Sequence, residues 1–314
     1  MNRTLKAFFA LGLAAGAGLR LLPATPQEED AALVERINGL LQQNDTRQAL
    51  GEARQATARY PQSAPLQELL GAAAFKQGLN GEARQAFTRA IRLSPSDPRA
   101  YFNLALVDLS EANYADAALQ LQQCVRRSPD NAEAHLLLGH AEHNLNHTDA
   151  AIAQFQSALR LVPNLPLGHY HLGFAYQSQG KLKEALRQYQ LEMADNSAFD
   201  RAYWLAGDIE LKQGHPAEAE RLYLKAEQLN PQSFAAHYGL GRTYAMTQKP
   251  AEAIRELVLA LAISPENVPA HYALARAYQR MGDSAAAKKE FAIAARLNQA
   301  AQSGATGIAG NGPQ

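Results

Sequence analysis

The hydrophobic and polar positions of this chain repeat every 34 residues. Proline marks the period: the spacings between successive marker prolines are 34, 34, 34, 68 and 34 residues, and Ser197 takes the skipped position. The markers are Pro61, Pro95, Pro129, Pro163, Pro231 and Pro265. Counting each marker as repeat position 32 divides residues 64–301 into seven units, 64–97, 98–131, 132–165, 166–199, 200–233, 234–267 and 268–301.

Each unit predicts two antiparallel amphipathic helices, because its apolar residues recur at helical spacing. Helix A is expected from about position 1 to 14 and helix B from about position 17 to 30. Position 20 is Ala in all seven units, position 8 is Gly or Ala, and position 24 is Phe, Leu or Tyr. We therefore expect small residues at position 8 to face large side chains at position 24. A left-handed residue is predicted to end helix A at position 15, where glycine recurs as Gly78, Gly180, Gly214 and Gly282.

Two stretches show the full spacing of small, aromatic and proline residues: AEAHLLLGHAEHNLNHTDAAIAQFQSALRLVPN and RAYWLAGDIELKQGHPAEAERLYLKAEQLNPQ. This pattern resembles the tetratricopeptide repeat family over residues 64–301. The resemblance implies an all-α fold, a right-handed α-solenoid or superhelix built from antiparallel helix pairs. It also implies that helix A lines a concave groove and that helix B covers the outside.

The segments outside the seven units have different expectations. Residues 30–63 keep the helix B pattern but carry Ile37 at position 8, which predicts a degenerate N-terminal repeat or cap. Residues 302–314 are rich in glycine, which predicts a disordered tail. Residues 1–24 follow the order of a secretory signal, a basic start, a short apolar run and small residues, with an uncleaved membrane anchor as the alternative. An exported protein, periplasmic or secreted, or one anchored in an inner membrane, is therefore predicted.

Composition narrows the function classes. Lys plus Arg is 30 and Asp plus Glu is 30, so the zero net charge gives no reason to expect nucleic acid as a partner. The single cysteine, Cys124, excludes an internal disulfide, and its core position 27 indicates a packing residue. No phosphate-binding glycine loop, nucleophile elbow or HExxH helix is present. We expect a non-enzymatic protein without a cofactor.

The resemblance implies that helix A positions 2, 5, 6, 9, 12 and 13 contact ligand. Position 5 carries an aromatic ladder, which is either groove surface or core, and basic residues occupy positions 9 and 13 of the later units. Tyrosine, tryptophan and arginine are effective binding anchors. The candidate partner-binding residues are Phe102, Tyr170, Trp204, Tyr238, Tyr272, Lys212, Arg242, Arg276 and Arg280.

These residues favour a scaffold or assembly factor that binds a protein or an extended peptide, and the arginines favour an acidic one. The arginines could instead form ion pairs with helix residues of the next unit. The last helix B carries Lys288 and Ala295 at positions 21 and 28, where other units often have Ile or Leu. This less apolar surface indicates either a self-capped end or a homodimer contact. An accessory subunit of an enzyme complex is a further alternative, and membrane contact is expected only through the N-terminal segment.

The stretch LGHAEHNLNH raises a metal-binding alternative. His147 shares repeat position 16 with His215, in the turn between helices, so we expect it to leave the helix that carries His140 and His143. His140, His143 and His171 of the next unit occupy positions 9, 12 and 6 of helix A, which are among the positions expected to contact ligand. Three imidazoles on two adjacent helices are weak candidates for a zinc site, and the competing interpretation is a polar, pH-responsive patch.

Overall fold

The computed structural model describes residues 26–308, and this part of the chain contains sixteen α-helices and no strand. The predicted all-α class is therefore confirmed. The helices are α1 (Pro26–Gln42), α2 (Thr46–Arg59), α3 (Ala64–Lys76), α4 (Asn80–Leu93), α5 (Pro98–Ser110), α6 (Tyr114–Arg127), α7 (Ala132–Asn144), α8 (Thr148–Leu161), α9 (Gly168–Ser178), α10 (Leu182–Asp195), α11 (Asp200–Lys212), α12 (Pro216–Leu229), α13 (Phe234–Met246), α14 (Pro250–Ile263), α15 (Val268–Arg280) and α16 (Ser284–Ile308).

The turns between paired helices have the predicted left-handed residue. Position 15 has positive φ in every pair, with glycine φ values of 73°, 73°, 83° and 82° in four of them. Asn44, Ala112, Asn146 and Gln248 adopt the same conformation without being glycine. The turn geometry is therefore imposed by the packed helix pair, and glycine only lowers its cost.

The pairing of small and large residues inside each repeat is also confirmed. A Cβ placed on Gly71 would lie 2.5 Å from the Phe87 ring, and one on Gly139 would lie 2.6 Å from the Phe155 ring. Because real Cβ atoms do not approach a ring so closely, these positions exclude every larger residue. The backbone of helix A at these glycines is therefore in direct contact with the aromatic ring on helix B of the same repeat.

The chain divides into two compact units. The first extends to Ser96 and contains α1 to α4, and the second begins at Asp97 and contains α5 to α16. Inside each unit, helices pack mainly against their neighbours in sequence. In the second unit the A helices α7 and α9, α11 and α13, and α13 and α15 also touch, so consecutive A helices share a surface.

Two helix boundaries differ from the sequence expectation. α9 begins at Gly168 and not at repeat position 1, because Leu167 adopts a left-handed conformation with φ 63°. The buried Glu192 accepts a hydrogen bond from the Tyr170 amide at 3.1 Å and so satisfies a backbone donor of the shortened first turn. α16 continues to Ile308, past residue 302 where the disordered tail is predicted to begin. Alanine-rich sequence favours this extension, because alanine has the highest helix propensity.

The N-terminal expectations are tested only in part. Helices α1 and α2 form a pair over the segment predicted as a degenerate repeat, with Ile37 fully buried. The predicted signal or anchor, residues 1–24, and residues 309–314 lie outside the described residues. None of the described helices is both long enough and apolar enough to cross a membrane. Cys124 is buried as predicted, and burial raises the pKa of its thiol.

Candidate functional site

Helices α11, α13 and α15 enclose a cleft of about 710 Å³, called here the basic cleft. Five of the nine candidate groove residues line it: two tyrosines from position 5 and three arginines from positions 9 and 13. The full lining is Leu211, Tyr238, Arg242, Ala245, Met246, Pro269, Tyr272, Ala273, Arg276, Ala277 and Arg280. The structure therefore brings together the residues that the C-terminal repeats contribute to the predicted groove.

The two tyrosines of the basic cleft differ in how firmly they are held. Tyr238 is half-buried, and its ring stacks on Phe234 with centroids 5.5 Å apart. Tyr272 is 39% exposed and contacts Phe291 at 5.9 Å in a tilted arrangement. An aromatic ring fixed from one side and open on the other can stack on a ligand at small entropic cost. Tyr272 is the more accessible of the two.

Arg242 forms an ion pair within the protein, but with the preceding unit and not, as the alternative expected, with the next one. Its guanidinium lies 3.3 Å from the Asp208 carboxylate, which comes from the same repeat position on the preceding A helix. Tyr223 donates a hydrogen bond to that carboxylate at 2.7 Å. Burial raises the pKa of Asp208, while the Tyr223 hydrogen bond and the Arg242 charge lower it. Arg242 also lies over the Tyr238 ring, 5.5 Å from its centroid, so it shapes the wall of the cleft.

The other two arginines of the cleft retain their charge for a ligand. Arg280 donates to the carbonyl of Ala245, a contact that leaves its charge uncompensated. Arg276 is exposed and forms no ion pair or hydrogen bond with any residue between 27 and 302. A guanidinium without a partner in an open cleft can bind a carboxylate through two parallel hydrogen bonds.

Four of the predicted groove residues lie elsewhere. Trp204 is half-buried and packs against two core clusters, one around Tyr189 and one around Tyr223, so its ring serves packing. Lys212 is exposed at the end of α11 and does not line the basic cleft. Phe102, half-buried on α5, does not line it either. The basic cleft therefore includes only two of the five aromatic ladder residues, Tyr238 and Tyr272.

Tyr170, the remaining ladder residue, belongs to a second cluster on α7 and α9. We call this cluster the histidine patch; it consists of His140, His143, Tyr170, His171 and Phe174. The ring centroids of His140 and His171 are 5.6 Å apart, those of His143 and Phe174 are 5.3 Å apart, and those of Tyr170 and His171 are 5.0 Å apart. The patch is thus an aromatic cluster in which imidazoles replace hydrocarbon rings.

The electrostatics of the histidine patch favour neutral imidazoles. Burial lowers the pKa of His171 to about 4, with smaller contributions from the charges of His140 and His143. Burial also lowers the pKa of His140 and of His143. At neutral pH the three rings are therefore uncharged.

The geometry of the patch does not support the zinc alternative at these histidines. Ligand atoms from His140, His143 and His171 do not lie within 4.8 Å of one another; within the described residues that condition is met by a different set, Glu227, His237 and Glu256. The imidazole rings of His140 and His171 meet edge to face, with their planes 63° apart. His147 lies in the turn before α8, outside the helix that carries His140 and His143, as expected, and its Nδ1 lies 2.8 Å from Glu142.

Sequence reasoning missed two residues that affect the basic cleft. Asp208 neutralises part of the charge of Arg242, and Met246, 53% exposed, adds a flexible apolar wall. The signal for Asp208 is its spacing of 34 residues from Arg242. Equal repeat positions on successive A helices face each other, so opposite charges at this spacing predict a pair.

Comparison with protein families gives one consistent result. A tetratricopeptide repeat model matches residues 34–98 and 204–268. A TPR repeat model matches residues 139–180, and a second tetratricopeptide repeat model matches residues 74–141 and 246–303. None of the curated proteins matches the sequence.

Among solved structures with the same fold are three whose chains align with this one over nearly their whole length. The C-terminal part of a TPR repeat-containing protein from Cytophaga hutchinsonii is 14% identical, with a TM-score of 0.62, covering 77% of this chain and 99% of that one. PilF from Pseudomonas aeruginosa is 19% identical, with a TM-score of 0.59, covering 67% and 96%. YrrB, described as a TPR protein with an unusual peptide-binding site, is 20% identical, with a TM-score of 0.52, covering 59% and 95%. These likenesses confirm the α-solenoid class.

Proposed function

This chain belongs to the tetratricopeptide repeat family, and from that premise we propose that it is a non-enzymatic scaffold that binds an extended acidic peptide segment of a partner protein in the basic cleft. The observation that carries the proposal is the convergence of Tyr238, Tyr272, Arg242, Arg276 and Arg280 on one cleft. YrrB, with the same fold, is a peptide-binding protein by its description.

The chemistry of the cleft suits an alternating ligand. Tyr272 and Met246 offer exposed apolar surface, and Arg276 offers a free guanidinium. A peptide in which acidic residues alternate with apolar ones places its carboxylates and its apolar side chains on opposite sides, as an extended backbone requires. Binding would order few protein groups, because the lining residues stand on packed helices.

The cleft supports binding more directly than catalysis. Catalysis requires groups that converge in a site closed to water, whereas the lining of the basic cleft is open, and its charged groups are arginines, which stay protonated. The scaffold would act in an envelope assembly, exported through residues 1–24 or held at a membrane by them. N-terminal sequencing of the mature protein separates these two forms, since an intact Met1 would contradict export by cleavage.

Fluorescence anisotropy with labelled peptides tests the proposal. We expect peptides that alternate glutamate with leucine to bind, and peptides that carry lysine in place of glutamate not to bind. Tyr272→Ala and Arg276→Glu should each weaken binding at least tenfold, about 1.4 kcal/mol, because each removes a central anchor. Raising the salt concentration should weaken wild-type binding and affect Arg276→Glu less.

The matched control is Arg296→Glu, which makes the same charge change at an exposed position of α16 outside the cleft. It should bind the glutamate peptide within about twofold of the wild type, because an exposed charge far from the ligand is largely screened. Equal losses in Arg276→Glu and Arg296→Glu would show that only net charge matters and would contradict a specific cleft.

A further inference from the structure

One repeat breaks the pattern of an apolar, mostly half-buried position in helix B. Position 28 is apolar in six of the seven repeats and is Glu227 in the repeat 200–233. The six apolar residues are Ile91, Val125, Leu159, Met193, Leu261 and Ala295. A carboxylate in a column that otherwise packs against the next repeat loses hydration and so requires a compensating partner.

The structure places that carboxylate beside two further ligand groups on neighbouring helices. His237 Nδ1 lies 2.9 Å from Glu256 Oε2 and 3.9 Å from Glu227 Oε1, and the three atoms all lie within 4.8 Å of one another. The side chains of His237 and Glu256 are 5% and 6% exposed, and that of Glu227 is 31% exposed. α12, α13 and α14 each contribute one of the three groups.

The hydrogen bond on the far side of the His237 ring orients it toward the carboxylates. Nε2 lies 3.1 Å from the Pro231 carbonyl oxygen, which can only accept, so Nε2 carries a proton and donates it. In the neutral ring the lone pair then lies on Nδ1 and faces both carboxylates. The two carboxylate oxygens and Nδ1 lie close enough together to share one cation.

Other repeats contain the same histidine without the extra carboxylate. His135 and His169 make the same pair of contacts, to a proline carbonyl and to Gln154 or Gln188. Asp195 lies 3.9 Å from His169, but on the Nε2 side of the ring and not beside Nδ1. His271 lies 2.6 Å from Glu290 and 2.8 Å from the Pro265 carbonyl, while the residue equivalent to Glu227 is Leu261. One carboxylate is therefore enough to pair with Nδ1 of this histidine in the fold. The second carboxylate, Glu227, has no role in that arrangement.

We propose that Glu227, His237 and Glu256 bind a divalent transition-metal ion of the zinc type. Zinc bonds of about 2.0 to 2.2 Å to nitrogen and oxygen place neighbouring tetrahedral ligands roughly 3.4 Å apart, between the two separations measured from His237 Nδ1. The Pro231 carbonyl supplies the outer contact that ligating histidines usually make. The exposed side of Glu227 leaves a fourth position for water.

The nearest cation is compatible with this assignment. Arg255 Nε contacts Glu256 Oε1 at 3.1 Å, and the opposite oxygen, Oε2, is the one that faces His237. The Arg255 side chain is 65% exposed, so it can move away at little cost. A bound metal ion would join α12 to α13 and α14 and so fasten the repeat 200–233 to the repeat 234–267.

Calorimetric titration of the full chain with zinc chloride tests the proposal, with cobalt absorption as a second measurement of coordination. We expect one zinc ion per chain and a melting temperature that rises with zinc concentration. Glu227→Leu installs the residue of the equivalent position in other repeats and should weaken zinc binding at least tenfold. Glu290→Gln, which alters the related pair around His271, should bind zinc as the wild type does.

Three results would overturn the assignment. The first is the absence of zinc binding by the wild type. The second is unchanged zinc binding in Glu227→Leu. The third is loss of zinc binding in His140→Ala, which would place the metal at the histidine patch. Melting without metal serves as the folding control. Should Glu227→Leu fail to fold, Glu227→Gln keeps the shape of the side chain, removes the charge and decides the same question.

Discussion

The basic cleft and the histidine patch both lie in the second compact unit and use the same repeat positions of helix A. The cleft is open and positively charged, whereas the patch is closed and neutral. In the cleft, position 6 is Gly239 and Ala273, and position 9 is arginine. In the patch, positions 6 and 9 include His171 and His140, whose rings touch. At position 6, Ala273 lines the cleft, whereas the ring of Tyr223 presses against Gly239. The open, charged surface therefore depends on Ala273 and on the arginines at position 9, and the closed, neutral surface depends on the rings of His140 and His171.

The largest effect that separates the two regions is on stability, at position 5. Tyr170 contacts three rings, His171, Phe174 and Phe199, so Tyr170→Ala should lower the free energy of unfolding by about 2 to 3 kcal/mol. Tyr272→Ala loses one tilted ring contact and should cost less than about 1 kcal/mol. Urea denaturation measures both values, and equal losses would contradict the distinction.

A second effect concerns pH. The pKa of His171 is about 4 in the folded protein, below the ordinary value of 6.5, so the unfolded chain takes up a proton first as the pH falls. Stability should therefore decrease as the pH falls from about 6.5 to about 4, by roughly 2 kcal/mol for this residue. His171→Leu, with the residue that three other repeats carry at position 6, should flatten the curve.

Urea denaturation at a series of pH values measures this dependence. Tyr272→Ala serves as the control, since it alters the other region and should retain the wild-type slope. A slope that is the same in His171→Leu would place the titrating groups outside the histidine patch.

The smallest expected effect comes from a substitution that makes the basic cleft more like the closed histidine patch. Ala273→Leu fills the floor of the basic cleft without changing any charge and should weaken binding of the glutamate peptide about tenfold, roughly 1.4 kcal/mol. The melting temperature should change little, because Ala273 is only partly buried. Retained affinity in the anisotropy assay would mean that the peptide does not enter the cleft.

Most of the fold could be predicted from the sequence, because each repeat obeys local rules that seven copies make visible. The turn at position 15 and the contact between Gly71 and Phe87 depend on residues within one helix pair. The late start of α9 could not be predicted, since it depends on the left-handed Leu167 and on Glu192, which caps the turn from another helix. Boundaries set by tertiary contacts leave no periodic signal.

The candidate site was predicted less well than the fold. The columns that resemblance assigns to a groove do include the five cleft residues, but Trp204 in the same columns packs against the core. The exposure of a side chain depends on the residues of the neighbouring repeat as well as on its own repeat position. Each histidine at position 4 makes two hydrogen bonds, such as those of His237 to Glu256 and to the Pro231 carbonyl, which depend on residues up to 19 positions away.

The ring of Tyr223 has a consequence for how such a chain can be rearranged. It lies against Gly207 of its own repeat, and it also presses on Gly239 of the next, whereas the rings of Phe87, Phe155 and Tyr189 each meet a glycine inside their own repeat. A duplication or deletion that takes one of the repeats 200–233 and 234–267 without the other therefore separates the ring from its second glycine.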